Sequence, residues 1–308
     1  MASLKDIKRH IVAVRQTQKL TKAMNMVAAA KLRSTQSRTE RFQHYADEFS
    51  RLAKEIGVRC RNVTSDILKP DPDSQRVLVV LISTERGLCG SFNSNLFDAS
   101  DKFILELKKL GLYPDIYVLG RKGFEYYKRR QAYVQVVGKM IGVMADFNYK
   151  FATTLCEDFI HNFTEKDGYK EIYLVSTKFE SLTHHPVVVD PFLPFSSESV
   201  LETSKASPEP ATQTPPENSL ATLDYLIEPD AEELLNILIP RSLSIKIFRA
   251  LLDSVTAENA ARMQAMENAT NSCKDIIDNL TMAYNKARQA SVTNELLDIV
   301  NGSEALKG

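Results

Sequence analysis

Two short stretches carry the residue types that phosphate chemistry would need. Thr84 closes an apolar run and leads into Glu85-Arg86-Gly87-Leu88-Cys89-Gly90-Ser91, a glycine-containing turn ahead of a helical pattern. Backbone amides in such a turn can cradle a phosphate. Gly120-Arg121-Lys122-Gly123 follows a second apolar run and has the same character. Neither completes G-x-x-x-x-G-K-[ST] or G-x-G-x-x-G, and the steric reading is a tight strand-to-helix turn that needs small residues. His184-His185 precede Pro186 with no cysteine or carboxylate cluster beside them, so they read as solvated loop histidines. Cys60, Cys89, Cys156 and Cys273 make no C-x-x-C and no His/Cys metal spacing, which fits reduced thiols in a reducing compartment. Glu232-Glu233 sit where a helix begins and suit its dipole rather than acid–base catalysis. No catalytic constellation, cofactor site or metal site is expected.

The remaining chemistry is charge. Between Met1 and Arg41 the chain holds ten Lys or Arg residues against Asp6 and Glu40 alone, a net of about +8, although the whole chain sums to zero. That segment fits three uses: a solvated helix flank, a grip on an acidic protein partner, or a contact with nucleic acid or anionic membrane. The overall neutrality argues against a dedicated nucleic-acid binder. So does the lack of aromatic residues before Phe42.

The elements that must position this charge are unusual. No Gly or Pro occurs from Met1 to Ile56 or from Arg241 to Asn301. Each end therefore predicts one very long helix of roughly 80–90 Å. That exceeds the roughly 50 Å diameter of a compact body of this length, so the helices are expected to project. Leu4, Ile7, Ile11 and Val14 open a coiled-coil seam that meets Gln18, Thr21 and Asn25, recovers at Ala28 and Leu32, and resumes at Phe42 and Ala46. A second stripe, Leu20, Met24 and Val27, faces another way. The last helix keeps the spacing from Phe248 through Val255, Met266, Cys273 and Leu280 to Leu297, with many small residues. An intramolecular antiparallel coiled coil pairs the two ends without the entropy cost of association.

Between the ends, short apolar runs alternate with helical segments. Strands are expected at Arg76–Thr84, Asp115–Leu119, Tyr133–Val137, Glu171–Thr177 and, at an edge, Pro186–Asp190. Helices are expected at Asn93–Leu110, up to about Arg130, and at Asp146–Phe163. The fold class is thus mixed: a long antiparallel coiled coil of the terminal helices plus a Rossmann-like α/β domain with a mainly parallel sheet. The expected boundaries are 1–58 and 230–301 for the coiled-coil helices, 75–195 for the α/β foot, and 196–220 for a disordered insertion rich in Ser, Thr, Pro and Glu. No apolar run is long enough to span a bilayer, and the basic N-terminus reads as mature protein.

Four blocks then carry a resemblance. IKRHIVAVRQTQKLTKAMNMVAAAKLR (7–33), STERGLCGSFNSN (83–95), ENAARMQAMENA (258–269) and NKARQASVTNELLDIV (285–300) together resemble the gamma subunit of the F-type proton-translocating ATP synthase, in order and over nearly the whole chain. Ser91 departs from the second glycine common in the family at that turn. The resemblance implies a central-stalk rotor that is not itself catalytic and has no cofactor. The partners it implies are the α and β subunits of the catalytic head, the epsilon subunit and the c-ring. It implies no nucleic acid, membrane association only through the complex, and a peripheral place on the cytoplasmic side of a bacterial inner membrane. It also implies β-subunit contacts for Arg288, Gln289 and Thr293, and for Lys19, Lys22, Met24 and Lys31 near an acidic lever, with Arg262 on the partner helix. Two other readings stay open here: a nucleotide-binding α/β enzyme and a basic coiled-coil nucleic-acid binder.

Overall fold

The computed structural model describes residues 4–59, 74–130, 132–165, 168–194 and 231–305. The expected insertion at 196–220, and Cys60, lie outside them. The chain divides into two compact units: Met1–Lys31 with Leu88–Gly90 and Asn259–Gly308, and Leu32–Gly87 with Ser91–Glu258.

The second unit holds a five-stranded sheet. Its elements are β1 (Arg76–Ile82), α2 (Phe92–Lys109), β2 (Tyr113–Leu119), α3 (Arg121–Lys128), β3 (Gln135–Met140), a 3-10 turn (Val143–Ala145), α4 (Tyr149–Thr164), β4 (Glu171–Thr177) and β5 (Val187–Leu193). The order is β3-β2-β1-β4-β5. The β1–β2, β1–β4 and β2–β3 pairings are parallel and β4–β5 is antiparallel. β1 is central and, from Val77 on, buried on both faces, which is why its sequence is a continuous apolar run with no alternation. On one face Leu78, Val80 and Ile82 pack with Leu155 and Phe159 of α4 and with Ile247, Phe248 and Leu251 of the C-terminal helix. On the other, Val77, Val79 and Leu81 pack with Leu96, Ile104 and Tyr127 of α2 and α3.

The terminal helices are α1 (Leu4–Arg59), 56 residues, and α5 (Ala231–Ala305), 75 residues. Pro240 lies inside α5, where a proline removes one helical hydrogen bond. In the second unit, Arg38 of α1 donates to the Phe147 carbonyl and lies over the Phe147 and Phe248 rings.

Among the boundaries that differ from the sequence expectation, three have a clear local reason. The third strand runs 135–140, not 133–137, because the Tyr133 and Val134 amides both donate to Arg130 O in a turn that closes α3. α4 starts at Tyr149, not Asp146, because Asn148 caps it: the Asn148 side chain accepts from Phe151 N at 2.9 Å. β5 continues past Asp190 to Leu193 through Pro191, which an edge strand tolerates.

Tyr117 explains Gly138. Its ring lies edge-on to Phe159 at 5.3 Å and covers the β3 backbone, so a Cβ at 138 would stand 2.3 Å from Tyr117 Cε2. Gly138→Ala is expected to destabilise the chain by about 1–3 kcal/mol, the usual cost of overpacking, measured by urea unfolding; an unchanged midpoint would contradict this packing.

Asp253 of α5 has its carboxyl pushed up to about 6, by burial first, against the favourable charges of Arg249 and Lys178. The folded chain therefore holds this proton more tightly than the unfolded chain does. Stability is highest below the ordinary aspartate range and falls as pH rises from about 4 to about 6. Asp253→Asn is expected to gain on the order of 1–3 kcal/mol at pH 8 and to flatten that slope, read from unfolding curves across pH; a parental slope in the variant would refute it.

Candidate functional site: a polar helix pair and an exposed helix end

The turn at Gly120–Gly123 is not free to hold a phosphate. The Gly120 amide donates to Met140 O at 2.8 Å and the Lys122 amide to Thr84 O at 3.0 Å. Ser83 Oγ accepts from Gly123 N at 2.9 Å and donates to Leu119 O at 2.8 Å. The Glu85 carboxylate takes the Arg121 amide at the start of α3 and, at 2.6 Å, the Gly142 amide. The place where an incoming anion would meet the helix is thus taken by the chain's own carboxylate. Gly120 has φ +97°, and a Cβ there would lie 2.2 Å from Ser83 O, so steric need accounts for it. At the other turn, Leu88 and Gly90 have φ of 63° and 60°, and a Cβ on Gly90 would rest against Ala265.

The sheet order reverses at β1, which is where open α/β sheets bind ligands, beyond the carboxyl ends of the strands. Here α5 closes the end of β4: Ser254 Oγ accepts from Thr177 N at 3.3 Å and lies 3.5 Å from Thr177 O. No group of His, Cys, Asp and Glu among the described residues has metal-binding geometry. Burial pushes the Cys156 thiol up to about 12, which leaves it protonated and unreactive at neutral pH. Cys89 and Cys273 are also buried, and neither is in a disulfide.

The first unit pairs residues 4–31 of α1 with residues from 259 onward of α5. Ile11, Thr21 and Ala28 are buried on one helix, and Asn259, Ala260, Met266 and Cys273 on the other. The polar seam positions cross between helices. Thr21 Oγ1 lies 2.8 Å from Thr270 Oγ1, and Asn25 Nδ2 donates to Met263 O at 2.8 Å. As α1 advances from 21 to 25 its partner retreats from 270 to 263, so the pair is antiparallel. Beside these bonds runs an open groove of about 470 Å³, lined by Gln18, Lys19, Lys22 and Asn25 of α1 and by Met263, Glu267, Thr270 and Asn271 of α5. The second stripe turns outward: Leu20 and Val27 are exposed, and Met24 is half-buried.

The seam spacing persists to Leu297, but its burial does not. Ile276 is already exposed, and Met282, Val292, Leu296, Leu297, Ile299 and Val300 are each half exposed or more. Counting from the Thr21–Thr270 pair places Leu4 opposite about residue 287. The later seam residues, Ala290, Asn294 and Leu297, therefore have no described α1 residue to cover them.

The site residues expected from the sequence fall into two zones of the first unit. Lys19 and Lys22 line the groove, with Met24 in the next turn and Arg262 beside Met263; Lys31 is exposed nine residues along α1 from Lys22. Arg288, Gln289 and Thr293 are all exposed, with Thr293 Oγ1 bonded to Gln289 O at 2.9 Å. The 18 residues from Thr270 to Arg288 set the zones about 27 Å apart along the helix. The residues that sequence reading left without a role are Asn25 and Thr270. Asn25 carried a signal, a polar side chain at a seam position, whereas Thr270 lies beside the expected seam residue Ala269 and carried none.

Two long terminal helices, paired antiparallel in the first unit, and a mostly parallel five-stranded sheet in the second define a mixed helical and α/β class of protein. A family model described as ATP synthase matches residues 3–306. The ATP synthase gamma chains of Syntrophus aciditrophicus and Syntrophobacter fumaroxidans are each 39% identical to this chain. The alignments span 99% of this chain and 99% of the relative in the first case, and 100% of both in the second. The chain belongs to the ATP synthase gamma-chain family. Among solved structures, the fold is similar to a chain of the Euglena gracilis mitochondrial ATP synthase rotor in rotational state 1, with TM-score 0.62, 19% identity, and 94% of this chain and 98% of that one covered. A chain of the Tetrahymena thermophila mitochondrial central stalk and c-ring is also similar, with TM-score 0.56, 22% identity, and 81% of this chain and 99% of that one covered.

Proposed function

We infer that this chain is the central-stalk rotor subunit of a proton-translocating ATP synthase, coupling proton flow to ATP synthesis or hydrolysis on the β subunits. The observation that carries the reading is the end of α5, where an amphipathic seam continues for several turns with its apolar residues exposed. A helix that keeps such a stripe beyond its own partner is built to meet a surface supplied by another chain. In the assembly that surface is the head of α and β subunits. The α/β domain meets the epsilon subunit and the c-ring. No helix among the described residues is long and apolar enough to cross a membrane, in keeping with a peripheral subunit held to the cytoplasmic face of a bacterial inner membrane by its complex.

In this reading the chain is a non-catalytic subunit of an ATP-hydrolysing complex. Among the described residues, the bonded amides of the Gly120–Gly123 turn and the contact of Ser254 with the end of β4 support it, because an α/β enzyme needs an open crevice there. Work is done through differential contact. A two-sided shaft presents different side chains to each β subunit as it turns, and only a difference in contact energy between open and closed β shifts that equilibrium. Lys19, Lys22, Met24, Lys31 and Arg262 meet the acidic lever of β, and Arg288, Gln289 and Thr293 bond β loops near the end of the shaft. Charge pairs of this kind contribute most where partners exclude water.

The test is reconstitution. The chain mixed with the α and β subunits of the same complex is expected to yield an assembly whose ATP hydrolysis turns a bead fixed to the α/β domain. Failure to co-purify, or hydrolysis without rotation, would defeat the reading. ATP turnover by the isolated chain would revive the enzyme alternative.

A further inference from the structure

We propose that Thr21, Asn25 and Thr270 are positioning residues: a polar clip that fixes the register of the two helices and bears the shear between them when the shaft is twisted. The proposal rests on the rotor reading above. The two hydroxyls lie 2.8 Å apart across the seam, and either one can donate to the other. Each also has a carbonyl of its own helix within reach, Met266 O at 2.7 Å from Thr270 Oγ1 and Gln18 O at 3.0 Å from Thr21 Oγ1, so one hydroxyl can bond its own helix while the other bonds across. One turn along, Asn25 Nδ2 reaches a backbone carbonyl of the other helix, Met263 O.

Register needs such a device because much of the seam is small. Ala283, Ala287 and Ala290 follow one another at the seam spacing of α5, so a slip of one turn there exchanges like for like and costs little packing. A slip at the clip instead separates the two hydroxyls, leaving the buried Thr21 to bond Gln18 O of its own helix, and draws Asn25 Nδ2 away from Met263 O, so both bonds between the helices are lost. Torsion of a two-helix shaft slides one helix along the other, so a layer that forbids sliding raises torsional stiffness. The clip also sets how the neighbouring Lys19 and Lys22 are offered along the groove.

The experiment uses the full chain, alone and in the assembled complex. The clip-less variant combines Thr21→Val, Thr270→Val and Asn25→Leu, which remove both partners of the hydroxyl pair and so cost little folding energy. The control is Thr21→Ser with Thr270→Ser, which restores the hydroxyls. Register is read in the isolated chain by disulfide formation between native Cys273 and a cysteine introduced either at position 18, which the Thr21–Thr270 pairing places opposite it, or at position 14, one turn away. The parental and serine chains are expected to favour Gln18→Cys over Val14→Cys. In the clip-less chain that ratio is expected to fall by about fivefold or more, and torsional stiffness of the rotating complex by about twofold, with unloaded ATP turnover little changed. Parental ratio and stiffness in the clip-less variant would overturn the proposal while leaving the rotor reading intact; a parental complex that does not rotate would overturn that reading instead. If the triple variant does not fold, Asn25→Leu alone takes the same two measurements. A lowered ratio there supports the clip, and an unchanged one rejects it.

Discussion

Phe248→Ala is expected to destabilise the chain by about 3–5 kcal/mol, the range for truncating a buried aromatic. Phe248 is 5% exposed and touches three rings at once: Phe42 at 4.6 Å edge-on, and Phe147 and Tyr149 each at 5.7 Å. Arg38 adds its guanidinium 5.6 Å from the same ring. These partners come from α1, from α4 and from the segment before α4, so one truncation loosens three elements against α5. Edge-to-face pairs add roughly 0.5–1.5 kcal/mol each beyond the area they bury. Against a total stability of about 5–15 kcal/mol, the loss leaves little margin. Phe248→Leu keeps part of the volume and should lose less than half as much. Equilibrium unfolding in urea decides the matter: a loss below about 1 kcal/mol for the alanine variant would mean that the cluster is not what holds these elements together.

Much of this architecture was legible because it rests on backbone rules. The absence of Gly and Pro marked both long helices, and the continuous apolar run RVLVVLI marked β1 as a strand covered on both faces. Spacing placed Thr21 and Asn25 in the seam, where the structure has them. What spacing could not say is whether a seam position is covered. Ile11 and Leu297 occupy equivalent places in the pattern, yet one is buried and the other exposed, because coverage depends on where the partner helix ends. The displaced boundaries have the same origin. Asn148 beats Asp146 as a cap through a single hydrogen bond, and the turn at Arg130 delays β3 by two residues. The glycine turns show the opposite limit. Their sequence is compatible with a phosphate cradle, and only the position of the Glu85 carboxylate shows that the anion-accepting end of α3 is already filled.

Arg288→Ala with Gln289→Ala is expected to lower ATP-driven rotation of the assembled complex by about tenfold while leaving the fold of the chain untouched. The two halves of that expectation come from one fact: both side chains are exposed. Truncating exposed side chains on a helix costs the isolated chain little, and alanine is the better helix former. The Thr293 hydroxyl bonds the backbone carbonyl of residue 289, so that link survives the substitution. An exposed arginine near the end of a shaft contributes chiefly when a partner desolvates it, and such a contact is worth about 1–2 kcal/mol or more when lost, hence the tenfold figure. Because the contact would be made in some rotor angles and not in others, its loss should fall on torque and turnover more than on assembly. Urea unfolding of the isolated variant and bead rotation of the complex separate the two. Parental torque and turnover would remove Arg288 and Gln289 from the contact set without disturbing the family assignment. A large loss of stability in the isolated chain would show that they serve its fold instead.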